Sequence, residues 1–297
     1  MRDNFQEHDL SNAKATRLNG ASASGMRHSI RPRRSAQERE AISAETPAIS
    51  SPSESRSVLD PNAPRWQDLQ MANPGSKRAR SAAMPVVDLH RDSPTVRAFD
   101  LLRTRLRQTT QERGWRNIAI TAPTSGCGNT FTAVNLALSL SRIPGSRTLL
   151  MDMNLRDPGV ARAFDLYAPS KLRDLLDGSI PMQRHLLRVG DTMALGLNNS
   201  PDENAAETLL DPATGQMLDK MRAALRPDLV LYDMPPLLAH DDVSAFVPQL
   251  DGVLLVSDGT RTMAKQLREC ERRLDGKVPL LGVVLNRARS NSIPSYG

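Results

Sequence analysis

The stretch Thr121 to Thr132, TAPTSGCGNTFT, holds residue types that could cradle phosphates. Gly126 and Gly128 would let backbone N–H groups converge on an anion, a helix start lies behind them, and Thr130 offers a hydroxyl to magnesium. The spacing G-x-G-x-T says little alone, because a plain strand-to-helix turn can show it. Two further stretches add weight. In LLMDMNLRDP, Asp152 could sit beside a magnesium ion and accept a proton from an incoming hydroxyl, with Asn154 and Arg156 following it. Helix capping is the alternative role, and Asp157 before Pro158 suits it better than Asp152 does. In LVLYDMPPLL, Asp233 closes an apolar run and could hold metal-bound water. Together the three stretches are far more specific than any one of them.

These residues need a scaffold that brings strand ends together. Short apolar runs recur at 117–121, 148–152, 193–197, 229–233, 252–257 and 280–286, separated by segments of helical period. Continuous apolar strands alternating with amphipathic helices predict an α/β fold with a doubly wound, mostly parallel sheet covered on both faces. In such sheets ligands lie beyond the carboxyl ends of the strands, where Gly126, Asp152 and Asp233 stand. Ser93 and Pro94 form an N-cap and first-turn pair for a helix carrying Val96, Phe99, Leu102 and Leu106. The expected organisation is a disordered Arg/Ser/Pro-rich tail over 1–84, a P-loop nucleotide-binding domain over 85–290 and a flexible tail over 291–297.

The formal charge of +6 comes from 39 Lys and Arg against 33 Asp and Glu, with clusters at RPRRS and SKRAR. Such clusters can attract nucleic acid or an anionic inner-leaflet surface. A solvated tail explains them as well, and no aromatics are interleaved for base stacking, so no nucleic-acid partner is expected. Cys127 and Cys270 are too few for a disulfide framework and fit a reducing cytoplasm. No stretch approaches the roughly 20 apolar residues that cross a bilayer, so a membrane role would go through a partner.

The order of ITAPTSGCGNTF, LLMDMNLRDP, LVLYDMPPLLAHDDVSAFVPQLDGVLLV and PLLGVVLNR resembles the bacterial tyrosine kinase (BY-kinase) family of capsule and exopolysaccharide systems, relatives of the MinD/ParA ATPases. The resemblance implies a site for ATP or ADP with Mg2+ at a protomer interface and tyrosine autophosphorylation in a C-terminal tail. It also implies pairing with a membrane polysaccharide co-polymerase, which would recruit a cytoplasmic protein to the inner membrane. Carried over residue by residue, Gly126, Cys127, Gly128, Asn129, Thr130 and Phe131 match the nucleotide-binding loop, with Thr130, Asp152 and Asp233 as the magnesium residues. Asp152 matches the candidate base, Arg156 the arginine of the D-x-D-x-R motif, Asp233 the Walker B carboxylate and Asn286 the asparagine at the adenine. Thr124 stands near the place of the MinD/ParA signature lysine, which argues against a partitioning ATPase.

Four features depart from that family. Asn129 replaces the loop lysine, and a charge-assisted contact is about twice as strong as a neutral one. In a dry site its loss costs on the order of 3–4 kcal/mol, or about 10²–10³ in rate. Asn154 replaces a second carboxylate and weakens the hold on a divalent ion. The tail RARSNSIPSYG offers Tyr296 as its one phosphoacceptor, or as an incidental terminal residue. The interface motif E-x-x-R-x-x-R reads Arg97, Asp100 and Arg103 here, either a self-association pairing or an ordinary solvated helix face. Cys127 reads as a small filler in a tight turn, and capping before VSAFV accounts for His240, Asp241 and Asp242.

The leading expectation is a BY-kinase-like nucleotide-binding protein regulating extracellular polysaccharide biosynthesis and export, with phosphotransfer impaired by Asn129 and Asn154. An active ATP-dependent protein-tyrosine autokinase and a MinD/ParA-like positioning ATPase stand beside it.

Overall fold

The computed structural model describes residues 63–74 and 93–288. Both arginine clusters, Tyr296 and the 291–297 tail lie outside the described residues. The elements run β1 (Gln70–Met71), α1 (Pro94–Arg113), β2 (Asn117–Thr121), α2 (Asn129–Ser141), β3 (Thr148–Asp152), α3 (Val160–Phe164), α4 (Leu172–Leu176) and α5 (Met182–His185). They continue with β4 (Leu187–Val189), β5 (Met193–Gly196), α6 (Ala205–Leu210), α7 (Pro212–Leu225), β6 (Leu229–Asp233), α8 (Asp242–Phe246), β7 (Gly252–Asp258), α9 (Ala264–Leu274) and β8 (Leu280–Asn286).

Every apolar run read from the sequence forms a strand, to within a residue of its expected ends. The sheet order is β1-β4-β5-β3-β6-β2-β7-β8. All neighbours are parallel except β4 and β5. Strands β3 and β6 are buried along their whole length, as strands covered by helices on both faces must be. Two apolar clusters result, one containing α7, α8 and α9 residues such as Leu218, Phe246 and Leu274, the other built on α2 with Phe99 and Leu106 of α1. Helix α1 starts as expected: Ser93 Oγ accepts from the Val96 N–H at 3.2 Å and Pro94 opens the first turn. Gly114, at φ 68°, closes it in the left-handed conformation that suits glycine.

The expectation of a disordered tail over 1–84 is corrected at residues 63–74. Trp66, 2% exposed, opens a short 3₁₀ turn and donates its indole N–H to the Asp191 carbonyl at 2.9 Å. Strand β1 then pairs in parallel with β4, Gln70 opposite Leu187 and Met71 opposite Arg188. A two-residue strand inside polar sequence has no period to detect; it docks through the buried Trp66 and Leu69 and through the Ala72 N–H on the Arg188 carbonyl.

Candidate nucleotide site

Strand order decides which carboxyl ends meet. β6 lies between β3 and β2, and the β3–β6 register sets Asp152 directly opposite Asp233. Both carboxylates are fully buried. Burial pushes Asp152 well above the usual carboxylate range and the nearby Asp233 charge adds to it, against backbone N–H groups that pull it down. Asp233 is raised as well, by burial first, against hydrogen bonds from Thr130 and Asn129. Asp152 Oδ2 accepts from the Val160 N–H at 2.9 Å, while its Oδ1 is buried with no partner among the described residues. So Asp152 caps the start of α3, the role that Asp157 suited better by sequence; Asp157 instead donates its N–H to Asn154 Oδ1 at 3.3 Å.

The loop between β2 and α2 has the backbone that phosphate binding requires. Gly126 and Gly128 sit at φ 80° and 96°, where L-residues are strained. A Cβ on Gly128 would also meet Asn286 Nδ2 at 2.2 Å, so only glycine fits. Asn286 donates to the Cys127 carbonyl at 2.8 Å and so braces the loop. Cys127 is buried within 3.6 Å of the Thr124 and Thr262 hydroxyls, as a filler would be. Phe131 stacks edge-on against Phe99 of α1, ring centres 5.9 Å apart.

The Asn129 side chain is engaged within the chain. Its amide donates to Asp233 Oδ1 at 3.1 Å and to the Met234 carbonyl at 2.8 Å, leaving it 7% exposed. Thr130 Oγ1 donates to the other Asp233 oxygen at 2.6 Å. Arg156 grips Asp242 with two contacts, Nε to Oδ2 at 2.9 Å and Nη2 to Oδ1 at 3.0 Å. This corrects the capping role for Asp242: Asp241 is the N-cap of α8, no side chain caps there, and Asp242 serves the arginine. Of the self-association candidates, Asp100 and Arg103 are engaged with each other and with α2 of the same chain.

An open cavity of about 530 Å³ runs from Gly126 and Thr130 along α2 to α3, within the range of small-molecule sites. Arg162 and Arg287 line it, as do Gly159 and His240. The sequence reading missed both arginines; Arg287 directly follows Asn286, which was the available signal. The residues suit a magnesium nucleotide: a loop with two glycines at positive φ, a hydroxyl at α2, and an orphaned carboxylate oxygen on Asp152. Among the described residues no group of three or more His, Cys, Asp or Glu could hold a metal ion, so a cation here would need oxygens from phosphate and water.

No protein-family model matches the sequence. Over 206 residues, 68% of this chain, it is 32% identical to EpsB of Ralstonia solanacearum, whose name assigns it provisionally to the tyrosine-protein kinases. The chain spans 27% of that protein's length. It is 29% identical over 191 residues, 61% of this chain and 23% of the other, to the succinoglycan biosynthesis transport protein ExoP of Rhizobium meliloti. The kinase domain of the Escherichia coli tyrosine kinase ETK superposes with a TM-score of 0.63 at 22% identity, covering 79% of this chain and 94% of that one, a likeness of fold.

Proposed function

We propose a function from one premise: the chain is a relative of the bacterial tyrosine kinases, with their mostly parallel P-loop fold. It is a nucleotide-binding protein that regulates extracellular polysaccharide biosynthesis and export, with phosphoryl transfer weakened at Asn129 and Asn154. The observation that carries this reading is the direction of Asn129. Its amide is turned onto Asp233 and the Met234 carbonyl, so the loop presents backbone N–H groups without a side-chain charge at that position. Gly126, Gly128 and Thr130 would hold ATP or ADP, and Thr130, Asp152 and Asp233 would hold Mg2+. When bound, the magnesium nucleotide supplies the cation and the transferable phosphoryl group. Asn154 spends its side-chain oxygen on the Asp157 N–H, which leaves less for a metal shell.

One observation favours an active autokinase as a second reading. Asp152 Oδ1 is unpartnered at the end of β3, with a carboxyl raised in proton affinity, so it could take a proton from an acceptor hydroxyl. Tyr296 is the candidate acceptor. Among the described residues no helix is long and apolar enough to cross a membrane. The likeness to ExoP, named a succinoglycan biosynthesis transport protein, supports a membrane polysaccharide co-polymerase as the proposed partner and the inner membrane as the proposed place of work.

Incubating the full chain with Mg-ATP and reading phosphotyrosine separates the two. The expected result is binding without robust labelling. Strong Tyr296 labelling that disappears in Asp152→Ala would establish the autokinase and sink the weakened-transfer reading.

A further inference from the structure

The cavity lacks the lysine charge at position 129 but is not short of cations. Three arginines line it. Arg156 is held bidentate by the buried Asp242. Arg287 donates to the Gly126 carbonyl at 2.8 Å and pairs with Asp258 at 2.5 Å. Arg261 comes near the loop, 3.9 Å from where a Cβ on Gly126 would stand, but does not line the cavity. That leaves Arg162. It is exposed, and its guanidinium has no hydrogen-bond or ion-pair partner among the described residues.

Its place in the fold gives it reach. Gly159, just ahead of α3, packs so closely on Thr130 that a Cβ there would come 3.0 Å from Thr130 Cγ2. Arg162 lies one helical turn further on and, with Ala163, lines the same cavity as Thr130, the residue that follows Asn129 in the chain. A long cationic side chain on a packed helix can meet an anion held by the loop at little cost, since no existing pair has to break.

We propose that Arg162 supplies, from α3, the positive charge toward the nucleotide's terminal phosphate that Asn129 cannot supply from the loop. The inference rests on the nucleotide-binding reading and adds a recognition residue to it: a triphosphate is favoured over a diphosphate through Arg162.

Calorimetric titration of the full chain with Mg-ATPγS and with Mg-ADP tests this. Arg162→Ala should weaken the triphosphate analogue on the order of tenfold and the diphosphate by less than about threefold, while Arg162→Lys keeps most of the affinity. In an Asn129→Lys background the Arg162→Ala loss should shrink, because the restored lysine serves the same phosphate. Unchanged triphosphate binding in Arg162→Ala, equal losses for both nucleotides, or an undiminished loss in the lysine background would each overturn the proposal. A wild-type chain that binds neither nucleotide would overturn the nucleotide reading itself; one that binds both while Arg162→Ala matches it overturns this inference alone.

Discussion

At the scale of single residues, Asn129 concentrates the question of activity. Its type was legible in the sequence because the glycines and Thr130 around it fix the register of the loop. Its direction was not, since the partners Asp233 and the Met234 carbonyl lie 104 and 105 residues away and depend on β6 lying beside β2. The same limit applies to the hydrogen bond from Asn286 to the Cys127 carbonyl, which joins residues 159 apart in the chain. A lysine at 129 would exchange a neutral amide next to Asp233 for a cation, which draws the carboxylate toward its charged form and leaves positive charge near the loop N–H groups. Asn129→Lys should therefore tighten Mg-ATPγS binding by at least about tenfold in calorimetry. If affinity does not rise, residue 129 is not beside the phosphates and the placement of the loop is wrong.

At the scale of elements, legibility followed the length and continuity of apolar runs. Strands β2, β3, β6, β7 and β8 hold five to seven residues with near-continuous hydrophobicity, and each appeared where the sequence put it. Strands β1 and β4 have two and three residues, QM and LRV, and their pairing is decided by what packs nearby rather than by their own pattern. Trp66 is what packs there. Its ring is buried, its N–H is bonded to Asp191, and the Arg147 guanidinium lies 5.6 Å from the ring centre. Trp66→Ala should cost about 3–5 kcal/mol in chemical denaturation, as for other buried aromatic truncations. A loss below about 1 kcal/mol would show that residues 66–71 do not dock on the sheet in solution.

At the scale of the whole molecule, the candidate site depends on contacts well away from it, because α2 carries the loop at one end and is fastened to α1 along its length. Asp100 is the hub of that fastening: its Oδ1 accepts from Ser139 Oγ at 2.7 Å and faces Arg103 Nη1 at 3.0 Å and Arg142 Nη1 at 3.6 Å. Arg103 also donates to the Ser139 carbonyl at 3.1 Å. From sequence alone the charges on α1 suited self-association and a solvated face equally, since spacing along one helix cannot tell which neighbour meets it. The contacts favour a third use, an in-chain brace between α1 and the loop helix. The ion pairs are worth little, because Asp100 is about a third exposed and screened by solvent, but Ser139 is fully buried and would lose an acceptor for its hydroxyl. Asp100→Ala should therefore lower the unfolding free energy by about 1–2 kcal/mol, with no change in molar mass by light scattering at the same concentration. A variant of unchanged stability that alters the molar mass would return Asp100 to an interface between copies of the chain, and the brace would be the wrong account of why α1 carries these charges.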